Sequence, residues 1–162
     1  MTYKMFVCDL DGTLLNNDHK ISKENIKAIK ALEEKGIKFI VATGRTKYML
    51  EDYLEAIDYK RPIIWSNGAA ISDTGGTILQ AKEIAIKDSR KMMELAQQYH
   101  MDYVVYTLDG IVGTGRKGRM KRLEDYNETV KKEYRIPLTF DKMLSSNLHK
   151  HKVIKFSFSS ED

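Results

Sequence analysis

The stretch from Met5 to Thr13 constrains this chain most, because four apolar residues lead directly into a polar cluster. The pattern is typical of a buried strand that carries polar side chains at its end. Asp9 and Asp11 lie there, with one residue between them. Two carboxylates this close repel each other unless a cation neutralises them or one keeps a proton. Such a pair can provide a metal ligand and nucleophile beside a protonated general acid.

A simpler interpretation of Asp11-Gly12 is a type I turn with no chemical role, because Asp-Gly pairs favour turns in any protein. Short motifs also match by chance. The rest of the sequence has to decide between these interpretations.

Three apolar segments alternate with two helical patterns in the first half of the chain. Strands are predicted at Met5–Cys8, Ile37–Ala42 and Pro62–Trp65, with helices over residues 22–36 and 46–57 between them. This alternation predicts an α/β fold with a doubly wound, Rossmann-like parallel sheet, because right-handed crossovers place helices on the faces of the sheet.

Each predicted strand ends abruptly in polar residues. Asp9 and Asp11 follow the first strand, Thr43 the second and Asn67 the third. Ligands of such sheets bind beyond the carboxyl ends of the strands, so four polar residues that meet there indicate a site. Thr43 taken alone can also be interpreted as a helix cap.

The second half of the chain differs in pattern and in charge. A short hairpin leads to a predicted boundary between one domain over residues 1–82 and an α/β domain over residues 83–162. Residues 1–83 carry 12 basic and 12 acidic side chains, whereas residues 84–162 carry 15 and 11 and hence the whole net charge of +4. We therefore expect the halves to have different roles. The elements expected in the second domain are a helix capped by Asp88, a hairpin over 103–114, a helix over 119–134 and a final strand.

The motifs at the strand ends resemble a known family. Asp9-Leu10-Asp11-Gly12-Thr13, followed by a strand that ends in Thr43-Gly44-Arg45, is similar to the haloacid-dehalogenase (HAD) superfamily of phosphohydrolases. Asn67-Gly68-Ala69 and the later α/β insertion narrow the resemblance to the Cof-type branch. It implies that residues 1–82 are the N-terminal part of the core and residues 83–162 an α/β cap. The implied activity is that of a Mg²⁺-dependent phosphatase of small phosphorylated metabolites such as sugar phosphates; a sugar phosphomutase is the alternative within the superfamily.

The resemblance also implies a role for each matching residue. Asp9 would be the nucleophile that forms an aspartyl-phosphate intermediate, and Asp11 would protonate the leaving alcohol and then deprotonate the attacking water. The Asp9 carboxylate and the Asp11 main-chain carbonyl would bind Mg²⁺, a hard ion suited to oxygen ligands. Donors and a cation around the phosphorus are what phosphoryl transfer requires. The residues that would hold the phosphate are Leu10 and Gly44 by their amides, Thr43 by its hydroxyl, and Asn67.

Members of this family continue past the cap into a second half of the core, which supplies a lysine and a Gly-Asp…Asn-Asp motif. Neither motif follows here, so we expect the C-terminal half of the core to be absent and the 162-residue chain to be weakly active or inactive. Met5–Cys8 would then form an exposed apolar edge. Such edges recruit other chains, which predicts self-association.

Residues 113–118 match the pattern G-x-G-x-x-G of dinucleotide sites. That fingerprint needs a strand-to-helix turn in a parallel unit and an acid on the next strand. Here a hairpin is predicted before the motif, and the next acids fall in a helix, so we set the dinucleotide interpretation aside.

The stretch from Arg116 to Arg122 contains five cations. It fits a solvated helix start, a patch that steers anionic substrates, or a nucleic-acid-binding module with Tyr103 and Tyr106 as stacking groups. No aromatic residue interleaves with these charges, which argues against nucleic acid. His149 and His151 lack the further ligands of a metal site and are interpreted as surface residues.

The single cysteine, Cys8, excludes a disulfide framework and favours a reducing compartment. No apolar run is long enough to cross a membrane, and the N-terminal residues lack the apolar core of a signal peptide. We therefore expect a cytoplasmic protein without membrane contact.

Overall fold

In the computed structural model, which describes residues 3–160, the chain divides into two units between Ala81 and Lys82. Both units combine helices with strands, so the predicted α/β fold class is confirmed. Across residues 3–160, no helix has the length and apolar character needed to traverse a bilayer.

The first unit alternates strands and helices in the predicted order. The Ser22 hydroxyl starts the first helix by accepting a hydrogen bond from the Asn25 amide at 3.1 Å. The elements are β1 (Met5–Cys8), α1 (Lys23–Glu34), β2 (Lys38–Val41), α2 (Glu51–Ala56), β3 (Ile63–Trp65), β4 (Ala70–Ser72) and β5 (Ile78–Ala81).

Strand pairing in the first unit is mixed. Strands β1 and β2 are parallel, and a single parallel bridge between Ala42 and Ile64 continues the pairing toward β3. Strands β3, β4 and β5 are antiparallel neighbours. The parallel arrangement predicted from the sequence therefore applies to the three strands that lead into the polar motifs, while β4 and β5 form the predicted hairpin.

Strand β1 is less buried than its apolar sequence predicts. Met5, Phe6 and Val7 remain 53%, 49% and 51% exposed, and only Cys8 is buried. Within residues 3–160, β1 pairs with β2 alone, so its other edge has no strand beside it. The exposure confirms the exposed apolar edge expected for this strand. It differs from the burial that the apolar run alone predicts, because β2 and the Phe39 ring, 6.1 Å from the Phe6 ring, cover only part of these three residues.

The second helix is shorter than predicted over residues 46–57. A 3₁₀ turn over Lys47–Met49 precedes α2, and Leu50 between them has a φ of −115°. The backbone is therefore redirected at Leu50, which is fully buried and anchors this change of direction.

The second unit contains a four-stranded sheet in the order β8-β7-β6-β9. Strands β7 and β8 are parallel, and β6 is antiparallel to both β7 and β9. The elements are α3 (Ile86–Gln98), β6 (Asp102–Thr107), β7 (Gly110–Gly113), α4 (Gly118–Thr129), β8 (Leu138–Phe140), α5 (Leu144–Asn147) and β9 (Val153–Ser159).

Helices pack on both faces of this sheet. Met93 of α3 and Leu144 of α5 join Val105 and Val112 in one buried cluster. Successive residues of a strand point to opposite faces, so Gly113 lies on the other face, where the Met120 side chain of α4 occupies the space a Cβ would need.

Several boundaries in the second unit differ from the predictions. Helix α3 begins at Ile86 after Ala85, so Asp88 lies in its first turn and is not its cap. Helix α4 ends at Thr129 because Val130 is extended, with φ −108° and ψ 158°. Strand β8 and helix α5 were not predicted; each is only three or four residues long, too short to display a hydrophobic period.

Candidate active site

Main-chain hydrogen bonds join the carboxyl ends of the first three strands. The Ala42 amide donates to the Cys8 carbonyl at 2.9 Å, and the Thr43 amide donates to the Ile64 carbonyl at 2.9 Å. The amide of Asn67 donates to the Thr43 carbonyl at 3.0 Å. The residues that follow the strands thus lie at one edge of the first unit, where ligands of parallel sheets bind.

The loop after β1 exposes both carboxylates because Leu10 anchors it. Leu10 is fully buried, whereas Asp9 and Asp11 on either side are exposed. Asp11 (φ −72°, ψ 122°) and Gly12 (φ 71°, ψ 4°) are the central pair of a type II turn, which needs glycine or a similar residue at its second position. The type I turn is therefore wrong, and the turn that forms presents the two acids to solvent.

The Leu10 amide donates to Asp9 Oδ1 at 2.7 Å. This amide, which the family resemblance assigns to the phosphate, is thus engaged by Asp9 in the structure. It becomes available to a phosphate oxygen only when the Asp9 carboxylate turns away from it.

Arg45 holds the Asp11 carboxylate from two sides. Its Nε donates to Asp11 Oδ2 at 2.9 Å and its Nη2 to Oδ1 at 2.7 Å, the bidentate geometry in which guanidinium binds carboxylates most strongly. Its Nη1 donates to the Tyr53 hydroxyl at 2.9 Å, and the guanidinium lies 4.9 Å from the centre of the Tyr53 ring. Tyr53 therefore fixes the arginine that fixes Asp11.

These hydrogen bonds from Arg45 lower the pKa of Asp11 below its ordinary value, with partial burial acting in the opposite direction. Asp11 is consequently ionised at neutral pH in this arrangement. A protonated Asp11, which the sequence allows beside a bound cation, is not the form that this arrangement with Arg45 favours. The two acids repel each other, but the decisive charge comes from Arg45, which lies 34 positions along the chain from Asp11.

Thr43 is buried and accepts a hydrogen bond from the Arg45 amide at 3.2 Å. This local turn is not a helix cap, because the following 3₁₀ segment begins only at Lys47. A hydroxyl that accepts one hydrogen bond keeps its own hydrogen to donate. Thr43 can therefore donate to a phosphate oxygen at this edge.

The segment after β3 is held in an uncommon conformation. Ser66 and Asn67 have positive φ values of 50° and 61°, and non-glycine residues seldom adopt two such values in succession. The Asn67 side chain lies 3.2 Å from the position of a Cβ on Gly44, so only glycine leaves ordinary space there. Ser66 is buried, and its hydroxyl has no hydrogen-bond partner within residues 3–160. The sequence pointed to Asn67 but gave no signal for Ser66.

A cleft of about 350 Å³ in the first unit is lined by Tyr53 and by the loop that follows the Asp9 motif. Asn16 shapes this loop, because its side-chain oxygen accepts from the Asp18 and Lys20 amides at 3.1 and 2.9 Å. His19 adds to the lowering of the Asp11 pKa through its charge. Tyr53 and His19 both line the cleft, and they connect it to Arg45 and to Asp11 respectively.

The acids of this edge suit a hard divalent ion. Residues 3–160 contain no group of three or more His, Cys, Asp or Glu side chains placed to hold a metal. Mg²⁺, however, is commonly held by one or two carboxylates together with waters and substrate phosphates. The exposed Asp9 carboxylate and the Asp11 carbonyl are oxygen ligands of that kind, so the residues fit Mg²⁺.

The G-x-G-x-x-G segment does lie in a parallel unit, since β7 pairs in parallel with β8 and α4 connects them. The predicted hairpin before the motif is confirmed by the antiparallel pair β6 and β7, and the next acids do fall in helix α4. A parallel unit is nevertheless present, so the dinucleotide interpretation is excluded by a different observation, the acid that closes the start of α4. The Asp102 carboxylate occupies the space that a Cβ on Gly118 would need, and it accepts from the Arg119 amide at 3.3 Å, where a phosphate would bind. Asp141 follows β8, where the fingerprint would need an acid to bind a nucleotide. Its carboxylate instead accepts from the Met143 amide at 2.8 Å and stabilises the turn after β8.

The basic stretch is partly neutralised by neighbouring acids. Arg116 lies 3.4 Å from Glu124, and Lys121 lies 2.6 Å from Asp125. These pairs fit a solvated helix start better than a continuous nucleic-acid surface. The His149 ring is exposed and contacts the Ser146 carbonyl at 3.1 Å, whereas His151 is partly buried and lies 4.0 Å from Asp141.

The edge combines an exposed aspartate pair, a buried threonine hydroxyl and a glycine after adjacent parallel strands, at the end of the sheet where ligands of such folds bind. The model of the haloacid dehalogenase-like hydrolase family matches residues 6–162, so the chain belongs to that family. This confirms the resemblance inferred from the motifs.

Individual relatives agree with this assignment. The chain is 30% identical over 108 residues to the 5-amino-6-(5-phospho-D-ribitylamino)uracil phosphatase YcsE of Bacillus subtilis, covering 67% of this chain and 43% of the relative. It is 26% identical over 164 residues to the pyridoxal phosphate phosphatase YbhA of Escherichia coli, covering 100% of this chain and 60% of the relative. A solved phosphatase of the superfamily from Bacteroides thetaiotaomicron superposes with a TM-score of 0.74 at 26% identity, covering 97% of this chain and 56% of that chain. The chain thus spans about half the length of the proteins it matches.

Proposed function

We propose that this chain carries the nucleophile and phosphate-binding part of a Mg²⁺-dependent phosphatase of small phosphorylated metabolites, such as sugar phosphates. The observation that carries the proposal is the exposed Asp9–Asp11 pair beside the buried Thr43 hydroxyl at the ends of adjacent strands. The two relatives named above, whose names give a ribitylaminouracil phosphate and pyridoxal phosphate as substrates, support a phosphate monoester as the substrate class.

Asp9 is the proposed nucleophile. A carboxylate oxygen of Asp9 forms a bond to phosphorus as the ester oxygen leaves, which gives an aspartyl phosphate and an alcohol. Asp9 Oδ1 accepts from the Leu10 amide at 2.7 Å, a hydrogen bond that has to open before this amide can bind the phosphate. The exposure of Asp9 leaves room for a substrate. Water then attacks the phosphorus of the intermediate and releases inorganic phosphate, which restores the carboxylate.

Asp11 is the proposed proton donor to the leaving oxygen and the proton acceptor from the attacking water. A carboxylate bound bidentately by Arg45 cannot hold the proton that this role requires. The Asp11–Arg45 pair must therefore separate before the alcohol leaves. An incoming phosphate offers Arg45 another anion to bind, which would favour that separation.

Phosphate binding is assigned to the Thr43 hydroxyl, the amides of Leu10 and Gly44, and Asn67. The Asp9 carboxylate and Asp11 carbonyl would hold Mg²⁺, which neutralises charge on the transferring phosphoryl group when bound. We further propose that residues 1–82 form part of the family's core and residues 83–162 its cap.

We expect residues 1–162 alone to be a weak catalyst, because the match covers only 43% and 60% of the two relatives. We also propose that the chain self-associates through the exposed edge of β1. The unpaired Cys8 further supports a reducing compartment such as the cytoplasm.

The test compares phosphate release by the unmodified protein and by its Asp9→Asn variant. Asp18→Asn is the control, because it also removes one exposed carboxylate from the loop region after β1. We expect Asp9→Asn to abolish Mg²⁺-dependent phosphate release from a panel of phosphate monoesters, while Asp18→Asn retains it. Release by Asp9→Asn at the unmodified rate would show that Asp9 is not the nucleophile. Conversion of a sugar phosphate to its isomer without phosphate release would instead identify a phosphomutase.

A further inference from the structure

Three side chains on the sheet of the second unit form a cationic cluster that the proposed reaction does not use. Tyr106 of β6 and Lys155 of β9 are direct partners in the antiparallel register, and Lys155 Nζ lies 5.1 Å from the centre of the Tyr106 ring. Arg119, in the first turn of α4, donates from Nε to the Tyr106 hydroxyl at 2.9 Å. Two cations therefore meet at one tyrosine that is only 4% exposed.

The hydrogen bond between Arg119 and Tyr106 leaves donors available on both groups. Because the tyrosine oxygen accepts from Arg119, its own hydrogen can be donated elsewhere. A guanidinium carries five N–H donors, and within residues 3–160 the Arg119 side chain makes this one hydrogen bond and no ion pair with a carboxylate. A ligand that accepts several hydrogen bonds would suit this group of donors.

The charges in the cluster also favour an anion. The pKa of Lys155 is lowered, first because the residue is partly buried and second because the Arg119 charge is near. Asp102 is the acid on the same face of β6, but it lies four residues, or about 13 Å along the strand, from Tyr106. Its carboxylate accepts from the Arg119 main-chain amide at the start of α4. An oxyanion beside Tyr106 would relieve the repulsion between Arg119 and Lys155.

We propose that Arg119, Lys155 and the Tyr106 hydroxyl form a binding site for a phosphate group on the second unit. Two cations and a hydroxyl match a dianion with three terminal oxygens, and guanidinium is suited to bidentate phosphate contacts. The site would take the phosphate of a phosphorylated metabolite or inorganic phosphate itself. All three residues belong to the second unit, so the proposal holds or fails independently of Asp9.

The test measures protection of Lys155 from chemical acetylation in the full 162-residue chain. Acetic anhydride reacts with neutral amines, and peptide mass spectrometry gives the rate at each lysine. At constant ionic strength, inorganic phosphate should slow acetylation of Lys155 by about tenfold, because a bound anion keeps the amine protonated. Lys121, an exposed lysine of α4, is the internal control and should keep its rate.

Two variants assign the protection to the cluster. Arg119→Met should abolish it, and Tyr106→Phe, which keeps the ring under Lys155, should weaken it. A phosphorylated sugar should protect Lys155 as phosphate does, whereas acetate should protect it less. Equal protection of Lys121, no protection in the unmodified chain, or full protection in Arg119→Met would each overturn the proposal. Protection that persists in Asp9→Asn would separate this site from the one in the first unit.

Discussion

The pair formed by Arg45 and Asp11 should contribute measurably to the stability of the first unit. We expect Arg45→Met to lower the free energy of unfolding by about 1–2 kcal/mol, since it removes a bidentate ion pair and a hydrogen bond to Tyr53. The ion pair accounts for about 1 kcal/mol of this at most, because the Asp11 side chain is 50% exposed and solvent screens it.

A double-mutant cycle isolates that contribution. Arg45→Met, Asp11→Asn and the double variant would be unfolded in urea at neutral pH with a metal chelator present. Trp65 is a suitable probe, because it is the only tryptophan and lies fully buried in the first unit. The coupling free energy should approach 1 kcal/mol and fall in about 1 M salt.

The pair between Arg61 and Glu33 provides a matched control in the same unit. It has one contact of 3.0 Å between side chains that are 33% and 45% exposed, so its coupling should be about 0.3 kcal/mol. If the coupling of Arg45 and Asp11 were no larger than this control, the bidentate pair would not hold Asp11 in place. The inference that it must separate before Asp11 takes a proton would then fail.

Three further substitutions test other parts of the structure. Val7→Lys should reduce self-association of the chain, measured by light scattering after size-exclusion chromatography, because a charge on an exposed edge strand opposes pairing with another chain. Gly113→Ala should lower the free energy of unfolding by about 1–3 kcal/mol in urea, and it should cost less in a Met120→Ala background, since the new Cβ meets the Met120 side chain. Lys155→Met should raise thermal stability at neutral pH. The pKa of Lys155 is lowered in the folded state, so the fold is destabilised by the charged form of this lysine. The gain in stability should therefore shrink as the pH rises toward the lysine pKa of the unfolded chain, where the lysine loses its charge. A gain that is undiminished at high pH would contradict this explanation.

The strands and helices that could be predicted from the sequence are those with a clear pattern among neighbouring residues. The strands that end at Cys8, Val41 and Trp65 carry continuous apolar runs followed by polar residues, and the structure brings their ends together. Helix α1 was likewise predictable, because Ser22 caps it and Gly36, with a φ of 73°, follows its end. These features depend on residues only a few positions apart.

Other features depend on contacts between distant residues and could not be predicted in the same way. Nothing near Asp11 in the sequence indicates that Arg45 would hold it ionised. The second helix was predicted from one apolar face, yet buried Leu50 divides that segment. Strand β8 forms because β7 offers it a parallel partner, and its three residues carry no independent signal.

Asp102 has a consequence for how glycine motifs are interpreted. Its carboxylate supplies the negative charge that a helix start attracts, so the loop before α4 already contains an internal counterpart of a nucleotide phosphate. Glycine spacing describes the shape of such a loop but not whether the protein fills it with its own acid. A search for nucleotide sites by glycine pattern therefore needs a second criterion, the absence of a carboxylate on the neighbouring strand that reaches the first helical amides.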